Sequence, residues 1–417
     1  MEGARKAARL VIFQSLASLF LPADEARHAV ILDAGERWRL DEAAAAGADT
    51  VVWGREALRS GTPSAVAIRW ALARERGIVR VRRRPPAPLE VTGVHRLPPP
   101  RLAPGVLRNR LREALLGGAL VELGGPRRGP RLIDWAAEAA GATGGVNAFR
   151  PGSGGSGLAR IRGPEGSPLV LRLARSGGPG DPHRAAQALE RLSSMESALV
   201  PRPAGKGRVN GVSWTAETAL PGRPPSRITQ DLAAQVAAFC AGLPRAEGQA
   251  TAHSADLLQV ARRFPHWTTV LSEAVTACDQ AALSVPALMR HGDLWAGNLL
   301  AERGGMTAVI DWDAWHPAAL PGTDLLHLVA MEEGRKTSRG MGRVWLARPW
   351  ESESYSAAGA GYWNAIGVRP DPKLLEAVGI AWWAGQVAAT LARLPFLAGD
   401  ERWVEANVET VLTALMG

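Results

Sequence analysis

The chain has 417 residues, 46% of them hydrophobic and 21% charged, so it carries enough apolar material for more than one folded core and is not expected to be disordered. Its net charge of +9 comes almost wholly from arginine, with four lysines against 45 arginines, and no RNA-binding signature or zinc finger accompanies it, so no nucleic-acid partner is expected. Cys240 and Cys278 are the only cysteines, which excludes a multi-disulfide scaffold and any all-cysteine metal site and fits a reducing cytoplasm.

The first element, ARKAARLVIFQSLASLFLPADEARHA, has a basic start and an apolar centre that is too short to span a bilayer. It reads as an amphipathic helix packed on its own domain, in preference to a peripheral membrane contact through residues 8–22. HAVILDA (28–34), DTVVWG (49–54) and GIVRVR (77–82) read as buried strands separated by the helical stretches LDEAAAAGA and SAVAIRWALARER. That alternation predicts a small Rossmann-like α/β sheet. No G-x-G-x-x-G follows the first strand, so a dinucleotide or S-adenosylmethionine site is not supported, and the domain reads as degenerate or accessory.

The proline-rich run from Arg82 to Gly105 cannot hold a regular helix and reads as a linker or irregular crossing. After it come a helix near VLRNRLREALL, a strand GALVELG and a helix IDWAAEAAG with Asp134 placed to cap it. From about residue 144 the texture becomes a glycine-rich strand meander, and from about 228 it becomes helical, visible in DLAAQVAAFCAGL, TTVLSEAVTACDQAAL, PKLLEAVGIAWWAGQVAATLARL and WVEANVETVLTALM. Three domains are expected: an accessory α/β domain over 1–143, a sheet lobe over 144–227 and a helical lobe over 228–417.

Chemistry concentrates in HGDLWAGNLL (291–300), where His291, Asp293 and Asn298 sit among apolar residues. The continuation, NLLAERGGMTAVIDW, predicts a hairpin turning at Gly304 and Gly305 that returns Asp311 to the loop holding Asp293 and Asn298. Two carboxylates and an amide suit phosphoryl transfer, in which protein groups position reactants and offset charge. Asp311 and the Asn298 amide oxygen can hold Mg²⁺ on nucleotide phosphates, while Asp293 accepts the proton of a hydroxyl. The I-D-W triplet recurs at Ile133–Trp135, but with no such loop before it, so there it marks only a helix start.

HGDLWAGN followed by IDWD is similar to the aminoglycoside phosphotransferase and choline kinase family, relatives of protein kinases, over roughly residues 144–400. The resemblance implies an α+β two-lobed protein-kinase-like fold, ATP and Mg²⁺ as cofactors, and a small-molecule hydroxyl as acceptor. It makes Asp293 the catalytic base and Asn298 and Asp311 the metal ligands, with His291 and Asp324 supporting the loop. It also implies a nucleotide-binding lobe. There the glycine-rich FRPGSGGSGLARIR offers Gly154, Gly155 and Ser156 to the phosphates. Arg172 in PLVLRLA stands where the family has lysine, an exchange that is not conservative. Glu190 is its expected helix partner, with Glu196 nearby, and the Thr218 carbonyl and Leu220 amide are expected to meet adenine. Trp315 and His316, which follow the second aspartate, and Asp313, with a solvated role as its alternative, are substrate candidates, while Trp295 and Trp312 read as core. The alternative function is a nucleotide-binding pseudokinase acting as a scaffold, motivated by Arg172 and the accessory domain.

Overall fold

The computed structural model describes residues 29–32, 50–53, 79–81, 91–97 and 118–123, and everything from Leu132 onward except 152–155, 176–181, 196–198, 210–211, 338–339, 394 and 417. The chain divides into two compact units, one reaching to Ala186 and including Pro203–Ala219, the other formed by Gln187–Arg202 and Leu220–Gly417.

The first unit carries two sheets. The earlier one joins β1 (Ala29–Leu32), β2 (Thr50–Trp53), β3 (Val79–Val81), β4 (Val91–Leu97) and β5 (Gly118–Leu123) in the order β1-β2-β5-β4-β3. β1, β2, β3 and β5 fall where the sequence predicts strands. The sheet is mixed, however: β1 and β2 run parallel, and the other three pairs are antiparallel, so the Rossmann-like expectation holds for one pair alone. For β3 and β4 connection length is decisive, since residues 82–90 are too few for the crossover that parallel neighbours require, whereas residues 33–49 between β1 and β2 are not. β4 lies inside the run read as a linker. Its segment VTGVHRL is itself free of proline, and prolines that forbid a helix are tolerated at the borders of a strand. The expected N-terminal amphipathic helix and the intervening helical stretches lie outside the described residues.

The later sheet is wholly antiparallel, in the order β6-β7-β8-β10-β9, from β6 (Gly144–Pro151), β7 (Gly157–Arg162), β8 (Pro168–Arg175), β9 (Pro203–Val209) and β10 (Val212–Thr218). Alternation along β8 buries Leu169, Leu171 and Leu173 on one face. Helix α1 (Leu132–Ala139) touches this sheet and buries Ile133, Ala136 and Ala137, one helical stripe. Asp134 lies within its first turn and is not the cap, because the helix already begins at Leu132; there the carboxylate still opposes the positive end of the helix dipole. Helix α2 (Pro182–Leu192) begins on its proline, whose missing N–H needs no partner in the first turn.

The second unit is mainly helical: α3 (Gln230–Ala241), α4 (Ala252–Arg263), α5 (Thr268–Ala282), α6 (Thr323–Thr337), α7 (Met341–Leu346), α8 (Glu353–Ile366) and α9 (Pro372–Arg393). α9 is long and apolar enough to cross a bilayer, but 67% of that window is buried inside the protein and Val378, Trp383, Ala384 and Val387 are fully enclosed, so packing accounts for its composition. The last predicted helix is interrupted by a π turn at Glu405–Glu409. The Asn407 carbonyl accepts the Trp383 indole N–H at 2.8 Å, and its side chain accepts from the Met341 amide and donates to the Trp403 carbonyl. These bonds satisfy a buried amide where the regular ladder is broken.

Candidate active site

The site lies within the helical unit, on four short strands: β11 (Leu288–Arg290), β12 (Leu299–Glu302), β13 (Gly305–Val309) and β14 (His316–Ala319). β12 and β13 form the predicted hairpin. Its two-residue turn is Arg303–Gly304, with φ of +50° and +84°, so Gly305 already belongs to the strand. Beyond the paired residues the Ile310 N–H donates to the Asn298 carbonyl at 2.9 Å, which sets Asp311 one residue past a direct bond to Asn298. Asp311 takes the left-handed conformation, φ +73° and ψ +58°, which a non-glycine residue adopts at a cost.

Asn298, 2% exposed, donates through Nδ2 to both the Asp293 carbonyl at 2.8 Å and the Asp293 carboxylate at 3.1 Å. The amide nitrogen thus belongs to Asp293, and the amide oxygen is the atom left for a cation. Among the described residues no group of three or more His, Cys, Asp or Glu side chains could hold a metal. The donor set here, one amide oxygen and the Asp311 carboxylate, suits Mg²⁺, which takes few protein ligands and completes its shell with phosphate and water.

His291 is fully buried. Its Nε2 donates to the Ile310 carbonyl at 2.9 Å and its Nδ1 accepts the Asp293 N–H at 3.2 Å, so one neutral ring ties the loop to the strand that delivers Asp311. The ring rests 4.5 Å from that of Trp312, which is 1% exposed and packs in the core as expected. Asp324, at the start of α6, accepts the His291 N–H at 2.6 Å and the Gly292 N–H at 2.8 Å. Gly292 has φ +83°, and a Cβ there would lie 2.3 Å from the Ala314 carbonyl oxygen, so the loop needs glycine at that position.

The structure thus gathers Asp293, Asn298, Asp311, His291 and Asp324. Trp295 departs from its core assignment: it is half-buried and lays its ring against Gly297, where a Cβ would come within 2.4 Å of it. Asp313 is exposed, Trp315 and His316 are half-buried beside the loop's end, and His316 pairs with Arg290 across β11 and β14.

In the sheet unit, Arg172 meets a carboxylate that sequence reasoning missed. Its Nε donates to both Glu217 oxygens at 3.3 Å and its Nη2 to one at 3.2 Å, the two side chains being 13% and 8% exposed. The register places Thr215 opposite Arg172 and Glu217 opposite Val170, so all four point to one face of the sheet, and the two-residue alternation of strand side chains could have identified Glu217. Glu190 is exposed on α2, Ser156 precedes β7, Thr218 ends β10 and Leu220 opens the helical unit. Gly154 and Gly155 lie outside the described residues. Also unforeseen were His327, which meets Asp293, Trp382, which donates to His327, and Gln386, whose amide donates to the Gly292 carbonyl at 3.1 Å. A signal existed for His327, three residues after Asp324 and so on the same helix face.

Residues 150–354 match the model of the phosphotransferase enzyme family. Among solved structures the chain is similar to an aminoglycoside-3'-phosphotransferase of type VIII, at 21% identity over 60% of this chain and 97% of that one, with a TM-score of 0.42. It is similar to a thermostable mutant of aminoglycoside phosphotransferase APH(4)-Ia, in ternary complex with ADP and hygromycin B, at 16% identity over 69% and 99%, with a TM-score of 0.43. A third is the choline kinase LicA from Streptococcus pneumoniae, at 13% identity over 64% and 94%, with a TM-score of 0.42. No curated protein matches. Residues 150–354, which hold the H-G-D loop, its asparagine and the returning aspartate, belong to the phosphotransferase enzyme family.

Proposed function

We propose that this protein is a small-molecule kinase that transfers the γ-phosphoryl group of ATP to a hydroxyl. The observation that carries this reading is the convergence of Asp293, Asn298 and Asp311 through the Asn298–Asp293 bonds and the Ile310–Asn298 backbone bond. In the proposed reaction the Asp293 carboxylate takes the acceptor's hydroxyl proton as its oxygen attacks the γ-phosphorus, and the bond to the ADP oxygen breaks. The Asn298 amide oxygen and the Asp311 carboxylate would hold Mg²⁺, which when bound offsets the charge of the phosphates. Asp293 keeps a quarter of its side-chain surface exposed, leaving it open to an acceptor while Asn298 fixes its angle. Within the sheet unit Arg172 is the proposed phosphate cation, its fork held in place by Glu217. ATP is preferred to GTP on family resemblance.

The test is incubation with Mg·ATP and a panel of aminoglycosides, amino alcohols and sugars, with mass spectrometry reading phosphate transfer. Asp293→Asn should lower kcat by about 10²- to 10⁴-fold with nucleotide binding retained. Asn298→Ala and Asp311→Asn should raise the Mg²⁺ concentration needed for half-maximal rate. An Asp293→Asn protein as active as the parent would sink the assignment.

A further inference from the structure

We propose that His327 is a positioning residue for phosphoryl transfer: a neutral donor, locked in one tautomer by Trp382, that holds one oxygen of the Asp293 carboxylate. This rests on the reading of Asp293 as the base. An indole N–H can only donate, and Trp382 Nε1 donates to His327 Nδ1 at 3.0 Å. Nδ1 therefore carries no proton, and a neutral ring must carry it on Nε2. Nε2 faces Asp293 Oδ1 at 3.3 Å, while the other oxygen, Oδ2, accepts from Asn298. The carboxylate is thereby gripped at both ends by uncharged donors, one on α6 and one in its own loop.

Packing alone does not ask for this arrangement. The indole nitrogens of Trp214, Trp345 and Trp350 are buried without a hydrogen-bond partner, so this protein encloses tryptophan rings without satisfying them, yet the Trp382 indole is aimed at a histidine. His327 is 2% and Trp382 4% exposed, and the next turn of α9 adds Gln386 to the Gly292 carbonyl, so α6 and α9 both brace the segment carrying the base. The lock also limits the chemistry. With Nε2 already protonated and Nδ1 occupied by the indole, His327 has no site for the proton that Asp293 takes from the acceptor, and that proton stays on Asp293 until it leaves to solvent.

The test uses the full-length protein with ¹⁵N-labelled histidine and NMR at neutral pH. The expected result is a His327 ring protonated at Nε2 only, with that signature lost in Trp382→Phe. A ring protonated at Nδ1, or at both nitrogens, overturns the proposal whatever the protein's activity. A second arm measures ADP release from Mg·ATP with the accepted substrate of the panel. His327→Leu should lower kcat by about 10- to 100-fold with KM values nearly unchanged, and His327→Gln, which restores a donor, should recover most of the loss. Equal activity of His327→Leu and the parent, or equal loss in Leu and Gln, would overturn it as well. Asp293→Asn in the same assay separates the two readings: if it is inactive while His327→Leu is fully active, this inference alone falls, and if it is fully active the kinase reading falls first.

Discussion

Asp324 is one carboxylate doing two structural tasks at once. It accepts the His291 and Gly292 backbone N–H groups while only 6% exposed, which fixes the peptide units immediately before Asp293. Two charge-assisted bonds in a buried setting are worth more than their neutral equivalents, and loss of one would leave a backbone donor unpaired. Asp324→Asn turns an NH₂ toward one of those donors. It should destabilise the protein by about 2–3 kcal/mol in urea unfolding and lower kcat, since the loop loses its anchor. A change within about 0.5 kcal/mol would show that the clamp is unimportant. The same logic explains why His291 is buried without being a candidate acid or base: both of its ring nitrogens are committed to holding backbone, one at Asp293 and one at Ile310.

The hairpin is the element that turns distant sequence into a site. Register between Leu299 and Val309 brings Asp311 back to Asn298; the two-residue turn starts the pairing, and a shift of one residue between Leu300 and Ala301 sets its final register. Arg303 occupies a left-handed position that favours asparagine, so Arg303→Asn should raise stability by about 0.5–1 kcal/mol and Arg303→Val should lower it by a similar amount, read from urea midpoints. This element was legible in the sequence because its signals are local: a glycine pair, flanking apolar runs, and polar residues at fixed spacing. The alternating leucines of β8 and the long helix α9 were legible for the same reason. What stayed hidden depends on where remote segments land. Nothing near GTDLLHLV announces that Trp382 of α9 will meet His327, and nothing near PLVLRLA announces Glu217. β4 was obscured differently, because its flanking prolines exclude a helix and say nothing against a strand. The π turn at Glu405–Glu409 escaped because apolar periodicity reports a helix's face and not the count of residues in each turn.

At the scale of the whole molecule, the helical unit encloses several ionisable groups together with its apolar ones. Cys240 and Cys278 are both free and buried, in agreement with the expectation of no disulfide scaffold. Burial pushes the Cys278 thiol up to about 12, and it pushes Cys240, Tyr355 and Tyr362 upward too, with the Asp324 carboxylate adding to the rise at Cys240. A folded-state value above the unfolded one means that the native protein holds its proton at pH values where the unfolded chain has released it. Stability from this source is complete below the thiol's ordinary value of 9.0 and is lost as pH climbs from there toward 12. Between pH 9 and 10 the Cys278 thiol should therefore cost about 1 kcal/mol of unfolding free energy. The measurement is urea unfolding of the parent and Cys278→Ala at a series of pH values from 7.5 to 10. The variant starts lower, because a cavity replaces the sulfur, but its decline above pH 9 should be shallower by about 1 kcal/mol, since one fewer group ionises on unfolding. Parallel curves would mean that the Cys278 thiol keeps its ordinary acidity in the fold, and with it that α5 and α9 admit water at their contact, where the thiol donates to the Ala377 carbonyl at 3.6 Å.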